Sequence, residues 1–228
     1  NPLAALMQPA NQAPSMAHLF GTDKLGRDVL SRILYGGAYS LSSVLALVVI
    51  IFCVGTFLGL VAGYFGGLID TVIMRIADMM ISFPGVILAI AIAGIMGGSL
   101  VNAMIALTAV TWTKYARLSR SMVLKIRKRD FVDAAIVSGG TSSHILWTHI
   151  MPNVVPILVI TAVSDIGAMM MELAGLSFLG FGSQPPAPEW GLMLNEGRQQ
   201  LQTAPWLMVF PGLAIFISVV IFNLWGDA

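Results

Sequence analysis

The stretch LSSVLALVVIIFCVGTFLGLVA, residues 41–62, contains no charged side chain and decides the class of fold. An α-helix of that length is about 33 Å long and crosses the hydrocarbon core of a bilayer, which is about 30 Å thick. The whole chain has the same character, with 57% hydrophobic and only 10% charged residues among its 228. Soluble domains carry roughly a quarter charged residues. The composition therefore excludes a soluble enzyme or a disordered chain and predicts an integral membrane protein.

Charge and cysteine content exclude two further classes of protein. The formal net charge of +1 gives no electrostatic basis for binding nucleic acid. Cys53 is the only cysteine, so neither an intrachain disulfide nor a cysteine metal cluster can form. The partner that this composition implies is the lipid bilayer.

Four more transmembrane helices are predicted after the first. The uncharged stretch from Met79 to Thr113 is too long for one helix, and the pair Gly97-Gly98 divides it. The predicted helices lie near residues 70–96, 99–120, 153–176 and 205–225. The expected fold class is an all-α membrane protein, a polytopic helical bundle with five transmembrane helices in this chain.

The distribution of basic residues predicts the orientation of the bundle. Seven of the twelve Lys and Arg residues lie between positions 114 and 129, and such clusters mark cytoplasmic loops. We therefore expect an external segment over residues 1–36 and a transmembrane domain over 37–228, with a cytoplasmic loop at about 114–152 and an external loop at about 178–204. The exceptions are three external basic residues that have acidic neighbours in the sequence: Lys24, Arg27 and Arg32.

Glycine recurs at every fourth position from Gly55 to Gly67, which places small residues along one stripe of a helix. The stripe predicts close packing against another helix of this chain or, as the alternative, a seam with a second transmembrane subunit. Near the inner boundary, Arg75 lies between Asp70 and Asp78, and this spacing predicts a mutually neutralised cluster.

The segment DFVDAAIVSGGTSSHILWTHIMPN, residues 130–153, predicts two short helices separated by a turn. Ala134 and Ala135 follow Asp133 and would let a helix lie flush on a partner surface. Gly139 and Gly140 end that helix, and Thr141 or Ser142 caps the next one. His149 and Pro152 close the segment, with Pro152 at the return to the membrane. A loop of this kind is typical of a docking element.

The spacing of Asp133, Ala134, Ala135, Gly139 and Pro152 resembles the EAA loop of ABC importer permeases, in which Glu is usual at the first position. The external motif GTDKLGRD, residues 21–28, resembles the segment found in dipeptide, oligopeptide and nickel permeases. The resemblance implies half of a translocation pathway for small peptides, nickel or metal-chelate complexes. It also implies a sixth helix before the external segment.

The same resemblance implies the partners: a second permease subunit, two cytoplasmic ATP-binding subunits and an external substrate-binding protein, in the bacterial inner membrane. This chain has no GxxxxGK[ST] phosphate-binding loop, so we expect no enzymatic activity of its own. ATP and Mg would be bound by the ATPase subunits, and no cofactor is expected here. The external loop either contacts the binding protein or caps the helices.

Three residues of the fourth predicted span are candidates for the translocation pathway: Asp165, Met169 and Glu172. Ionisable groups at membrane depth usually face a bundle interior or an aqueous cavity. Asp165 either meets a cationic group of the substrate or bonds to a facing helix. No metal site is expected, because consecutive methionines point in different directions and His144 and His149 are badly spaced for one helical face. A stand-alone channel or secondary transporter is the alternative function, although neither requires a loop that docks an ATPase.

Overall fold

A computed structural model describes residues 9–226. Over this range the chain is helical, and its only β-type pairing is an isolated bridge between Thr22 and Asp28. The α-helices in chain order are α1 (Val29–Phe65), α2 (Gly67–Ile81), α3 (Gly85–Met96), α4 (Leu100–Ile126), α5 (Asp130–Val137), α6 (Ser142–Ile145), α7 (Met151–Phe178), α8 (Trp190–Gly197) and α9 (Trp206–Gly226). A π-helical turn, Leu146–Ile150, joins α6 to α7, and a 3₁₀ turn, Arg198–Gln200, follows α8.

Helix α1 is longer than the apolar stretch that predicted it. It begins at Val29 because the Asp28 carboxylate accepts the backbone N–H of Ser31 at 2.8 Å, which caps the first turn. Its 37 residues correspond to about 55 Å, so the helix extends well beyond a bilayer core. It ends at Gly66, whose φ of 65° few other residues adopt without strain.

The glycine stripe packs within the chain, as the first alternative predicted. A Cβ atom on Gly55 would lie 2.5 Å from the Trp112 carbonyl oxygen of α4, and one on Gly59 would lie 2.3 Å from that of Ala116. The contacts advance in the same direction on both helices, so α1 and α4 run parallel. Gly67 does not belong to this contact, because it begins α2 and has no neighbour within 4 Å of its Cβ position.

The single helix predicted near residues 70–96 is wrong. Two helices, α2 and α3, occupy this region and meet at an angle of 94°. Pro84 precedes α3 and has no backbone N–H to continue the ladder of α2. The pair forms either a broken span or a re-entrant loop.

The predicted number of five spans is approximate. Among the described residues, three helices are long and apolar enough to cross a membrane: Val29–Phe65, Ser142–Phe178 and Trp206–Gly226. The bent pair α2 and α3 would make a fourth. Helix α4 has 27 residues, but its second half carries charges that lower its hydropathy.

Two apolar clusters position the functional regions. The larger one joins α1, α4, α7 and α8 through buried side chains such as Leu47, Leu107 and Leu173. The second lies at the ends of α1 and α4 and includes Val132 of α5 and Ile145 of α6. The segment between α4 and α7 is therefore fixed to the helical bundle by apolar contacts.

Candidate functional site: the loop between helices α4 and α7 and the adjoining face of α7

The loop begins where α4 ends, and the guanidinium group of Arg127 binds the start of the loop to α1. Arg127 donates to the carbonyl oxygen of Tyr64 at 2.8 Å, and its charge lies 5.5 Å from the centre of the Tyr64 ring. The chain then turns into α5, whose first turn contains Asp130 and Asp133. Carboxylates stabilise a helix at this end because they face the positive pole of its dipole.

Only one face of α5 is buried. Val132 is fully buried in the second apolar cluster, whereas Asp133 and Ala134 are exposed and Ala135 is partly exposed. Two apolar side chains at the end of the helix also face outward, with Ile136 50% and Val137 87% exposed. The outer face of α5 thus combines small, apolar and acidic groups.

The local structure predicted for the turn after α5 is confirmed. Gly139 has a φ of 82°, in the left-handed region that ends helices. The Gly140 N–H donates to the carbonyl of Ala135 at 3.0 Å, and the Thr141 hydroxyl accepts the N–H of His144 at 3.3 Å. Each of these signals is local in sequence, so the pattern could specify the turn.

The prediction that His144 and His149 are badly spaced for one helical face is wrong. The helix widens to a π-helical turn over Leu146–Ile150, in which residues five apart share a face. The two imidazole rings consequently lie 5.8 Å apart between centres, edge to face. Pro152 follows this turn at the start of α7, where its missing N–H is tolerated. Among the described residues, no group of three or more His, Cys, Asp or Glu is arranged to hold a metal ion.

Asp165 is bonded to a facing helix. Lys114 of α4 lies 2.7 Å from both carboxylate oxygens, and the Tyr115 hydroxyl donates to one of them at 2.9 Å. The side chain of Asp165 is 16% exposed and that of Lys114 is 54% exposed. This pair joins the middle of α4 to the middle of α7.

The neutralised cluster predicted around Arg75 is also wrong. Asp78 pairs with Arg117, and Asp70 pairs with Arg120, so both acids of α2 bond to α4. With Lys114, the two arginines form one stripe of α4 at every third residue. Side chains at this spacing lie on one face of the helix.

The other two candidate pathway residues differ in environment. Met169 is 6% exposed and packs in the larger apolar cluster. Glu172 is partly exposed and, among the described residues, makes no hydrogen bond or ion pair. It lines a cavity of about 220 Å³ whose other walls are apolar residues of α3, α4 and α7, among them Val86, Leu107 and Leu179.

A buried ion-pair network joins the segment before α1 to α8, and it contains two of the three basic residues that were exceptions to the predicted charge distribution. Arg27 and Arg32 are each 2% exposed. Arg32 bonds to Asp23 at 2.8 Å and to Glu196 of α8 at 2.7 Å, and Arg27 contacts the same two acids at 2.6 and 3.1 Å. The basic residues are therefore neutralised inside the protein. Because they are paired, these two arginines add no free positive charge that would conflict with the positive-inside rule.

Helix α8 is capped by Glu189 and held against α1 by Trp190. The Glu189 carboxylate accepts the N–H groups of Gly191 and Leu192 at 2.8 Å, and the Trp190 indole donates to the carbonyl of Ile33 at 2.9 Å. Burial raises the pKa of Glu189 above its ordinary value despite these hydrogen bonds. The loop between α7 and α9 is thus anchored to α1.

The apolar helices and the anchored loop between α4 and α7 are those of a multi-pass membrane protein. Residues 55–228 match the family described as binding-protein-dependent transport system inner membrane component, and the chain belongs to this family. It is a permease subunit of an ABC importer, and a stand-alone channel or secondary transporter is not favoured.

Curated relatives span several cargoes. The chain is 45% identical over 221 residues to the dipeptide transport system permease protein of Alkalihalophilus pseudofirmus, covering 96% of this chain and 73% of that protein. It is 44% identical to the nickel transport system permease protein of Escherichia coli, covering 95% and 78%. The glutathione transport system permease protein of Pectobacterium atrosepticum is also 44% identical, with 95% and 72% covered.

Solved structures share the fold at low identity. An inward-facing structure of the MetNI methionine ABC transporter has a TM-score of 0.68 and 18% identity, over 87% of this chain and 94% of that one. A crystal structure of an amino acid ABC transporter with histidines gives 0.60 and 16%, over 87% and 92%. At this identity the likeness concerns the fold alone.

Proposed function

We propose that the chain forms half of the translocation pathway of an ATP-driven importer in the bacterial inner membrane. A second permease subunit supplies the other half, two cytoplasmic ATP-binding subunits drive transport, and an external binding protein delivers the substrate. The cargo class is small peptides, nickel or metal-chelate complexes. The names of its relatives, which give dipeptide, glutathione and nickel, support the first two. ATP hydrolysis then belongs to the partner subunits.

The observation that carries this proposal is the loop between α4 and α7. Its inner face is anchored by Val132 and Ile145, whereas Asp133, Ala134 and Val137 face outward. A surface that is rigidly attached yet apolar and uncovered suits a permanent partner. We infer that this surface docks on the ATPase, with the alanines allowing close approach and Asp133 facing donors of the partner.

The continuity of the loop with the bundle supports a mechanical role. Helix α6, the π-helical turn and α7 form one helical run from Ser142 to Phe178. When ATP brings the two ATPases together, a displacement of the loop would therefore move α7 relative to α4. That movement would alternate the pathway between inward and outward openings.

The face of α7 beside α3 and α4 is the proposed wall of the pathway. Asp165 and Glu172 are seven residues apart, so both lie near this face. Met169 contributes from the buried side of the same helix and supports its packing. In this arrangement residues 1–36 and 178–204 are external and 114–152 cytoplasmic.

The test is a substitution at Gly139 in the complete transporter. Among residues with a Cβ atom, Asp is one of the least strained at a positive φ, so Gly139→Asp mainly adds a charged side chain to the docking surface. We expect the variant to insert and assemble but to lose ATPase stimulation by the loaded binding protein, and cargo uptake with it.

Gly180→Asp is the matched control. Gly180 has a φ of 91° and, like Gly139, no atom within 4 Å of its Cβ position, and it ends α7 with the same pattern of backbone hydrogen bonds with which Gly139 ends α5. Backbone strain should affect both variants alike, whereas only Gly139→Asp should uncouple transport. Normal uptake by Gly139→Asp would contradict the assignment of the loop.

A further inference from the structure

The cavity beside Glu172 contains one charged group in otherwise apolar walls. It measures about 220 Å³ and is lined by residues of α3, α4 and α7 that include Ala89, Leu107 and Gly175. Two further lining residues are well exposed, Val86 by 54% and Leu179 by 48%, so the cavity opens at the surface of the subunit. Complete small-molecule sites usually measure about 300–1,000 Å³, so this open cavity is smaller than a complete site.

The depth of Glu172 makes its charge costly. Ser164 bonds to the carbonyl of Gly226, the last residue of α9, at 3.2 Å, so this part of α7 is level with the cytoplasmic end of α9. Glu172 lies eight residues farther along α7, about 12 Å deeper into the bilayer region. A carboxylate at that depth avoids lipid and faces protein or an aqueous cavity.

The basic residue of α4 nearest to Glu172, Lys114, is already paired with another carboxylate. Lys114 places its ammonium group 2.7 Å from each oxygen of Asp165, which lies two helical turns from Glu172. Among the described residues, Glu172 has no counter-charge of its own. Its carboxylate can therefore accept a positive group that enters the cavity.

We propose that this cavity is the point in the pathway where a positively charged group of the cargo is held, with Glu172 as its counter-charge. The ligand class is a cation, either the ammonium group of a peptide or a divalent metal ion. The apolar walls accommodate the uncharged remainder of the cargo. This inference rests on the proposed function and adds to it a preference for cargo with a positive charge.

The first test is carbodiimide labelling of the purified transporter in nanodiscs. Dicyclohexylcarbodiimide modifies carboxyl groups in apolar surroundings, and mass spectrometry locates the modified residue. Three probes are compared: nickel ions, alanyl-alanine and N-acetyl-alanyl-alanine, which lacks the ammonium group. We expect labelling at Glu172 to fall in the presence of nickel ions or alanyl-alanine, depending on which cation the site accepts, and to be unaffected by the acetylated peptide.

Equal labelling with every probe would overturn the proposal, because the site would then take no cation. Absence of labelling in the complex would also overturn it, since a basic residue of the second subunit would already neutralise Glu172. Equal protection by the acetylated peptide would indicate steric shielding and would count against a charge preference. These outcomes do not depend on any substitution and hence not on the folding of a variant.

The second test measures uptake in proteoliposomes with the loaded binding protein. Glu172→Gln should lower uptake roughly tenfold or more, since a charge-assisted hydrogen bond is lost. Glu172→Asp keeps the charge and should retain most of the uptake. Uptake by Glu172→Gln at the wild-type rate would overturn the cation site while leaving the importer assignment intact. If no loaded binding protein stimulates the ATPase of the wild-type transporter, that result instead contradicts the proposed function.

Discussion

At the scale of single residues, the segment before α1 shows how this chain buries charge. Arg27 and Arg32 are almost completely buried and share the carboxylates of Asp23 and Glu196. A buried charge is tolerated when it is paired and hydrogen-bonded. The network also joins this segment to α8, so it fixes the two relative to each other.

Removing one member of this network should destabilise the protein. Arg32→Leu leaves Arg27 as the remaining cation beside the two carboxylates of Asp23 and Glu196, and breaking buried pairs in this way costs about 3–5 kcal/mol. The matched control is Arg198→Leu, because Arg198 directly follows α8 and is exposed. We expect the thermal unfolding midpoint in detergent to fall clearly for Arg32→Leu and little for Arg198→Leu. Equal midpoints would show that the network does not stabilise the fold.

Only part of this network could be predicted from the sequence. Asp23 and Arg27 are four residues apart, a spacing that indicates a local pair. Glu196 is 164 residues from Arg32, and nothing in the pattern connects them. The same limit explains the error at Arg75, since the acids beside it in sequence bond to α4 across the bundle. Spacing along the chain does not show whether a charged residue pairs with a neighbour in sequence or with a residue of another helix.

At the scale of helices, the contact between α1 and α4 depends on glycines of α1, which have no side chain. A Cβ atom on Gly59 would lie 2.3 Å from a backbone oxygen of α4, which cannot move aside. Small residues at such a crossing permit backbone approach and van der Waals contact in membranes.

Gly59→Ala should therefore destabilise the subunit by about 1–3 kcal/mol, the usual cost of overpacking. Gly175→Ala is the control, because no atom lies within 4 Å of its Cβ position. Alanine also favours a helix over glycine, so the control should be neutral or stabilising. Unfolding in a titration with a denaturing detergent measures both variants. Equal stability would mean that α4 shifts away from α1 without cost.

The helices also show which features the sequence specifies. The glycine stripe and the turn at Gly139 were predictable, because each depends on residue types at fixed local spacing. The 94° bend after α2 was not predictable, because residues 79–113 are uniformly uncharged and only Pro84 marks the break. The π-helical turn was missed as well, since an α-helical period separates His144 and His149 onto different faces.

At the scale of the whole molecule, a stripe of basic residues on α4 connects this helix to α7 and α2, and α7 is the helix that the proposed mechanism displaces relative to α4. Lys114 bonds to α7, whereas Arg117 and Arg120 bond to α2. Counting charges predicted that this region is cytoplasmic, but not that the charges join helices. The cavity beside Glu172 was likewise beyond the sequence, because three helices separated along the chain create it.

The pair Lys114–Asp165 allows a test of the movement of α7. Helix α7 continues from the docking loop, so a tie to α4 at this level should transmit displacement to the bundle. We expect Asp165→Asn and Lys114→Gln each to lower coupled uptake several-fold, and the exchanged pair Lys114→Asp with Asp165→Lys to recover much of it. Recovery in a double variant isolates the pairwise interaction from the effect of each single change.

The pair Arg117–Asp78 provides the control within the same stripe. Both of its side chains are exposed, by 46% and 52%, whereas Asp165 of the other pair is only 16% exposed. Ion pairs in which both partners are exposed contribute little because water screens them. Arg117→Gln should therefore leave uptake close to the wild-type rate. Two outcomes would contradict this role of the Lys114–Asp165 pair: Arg117→Gln lowers uptake as much as Lys114→Gln, or the exchanged pair stays inactive. In either case the basic stripe acts through its total charge, and the specific ion pair between α4 and α7 does not transmit movement.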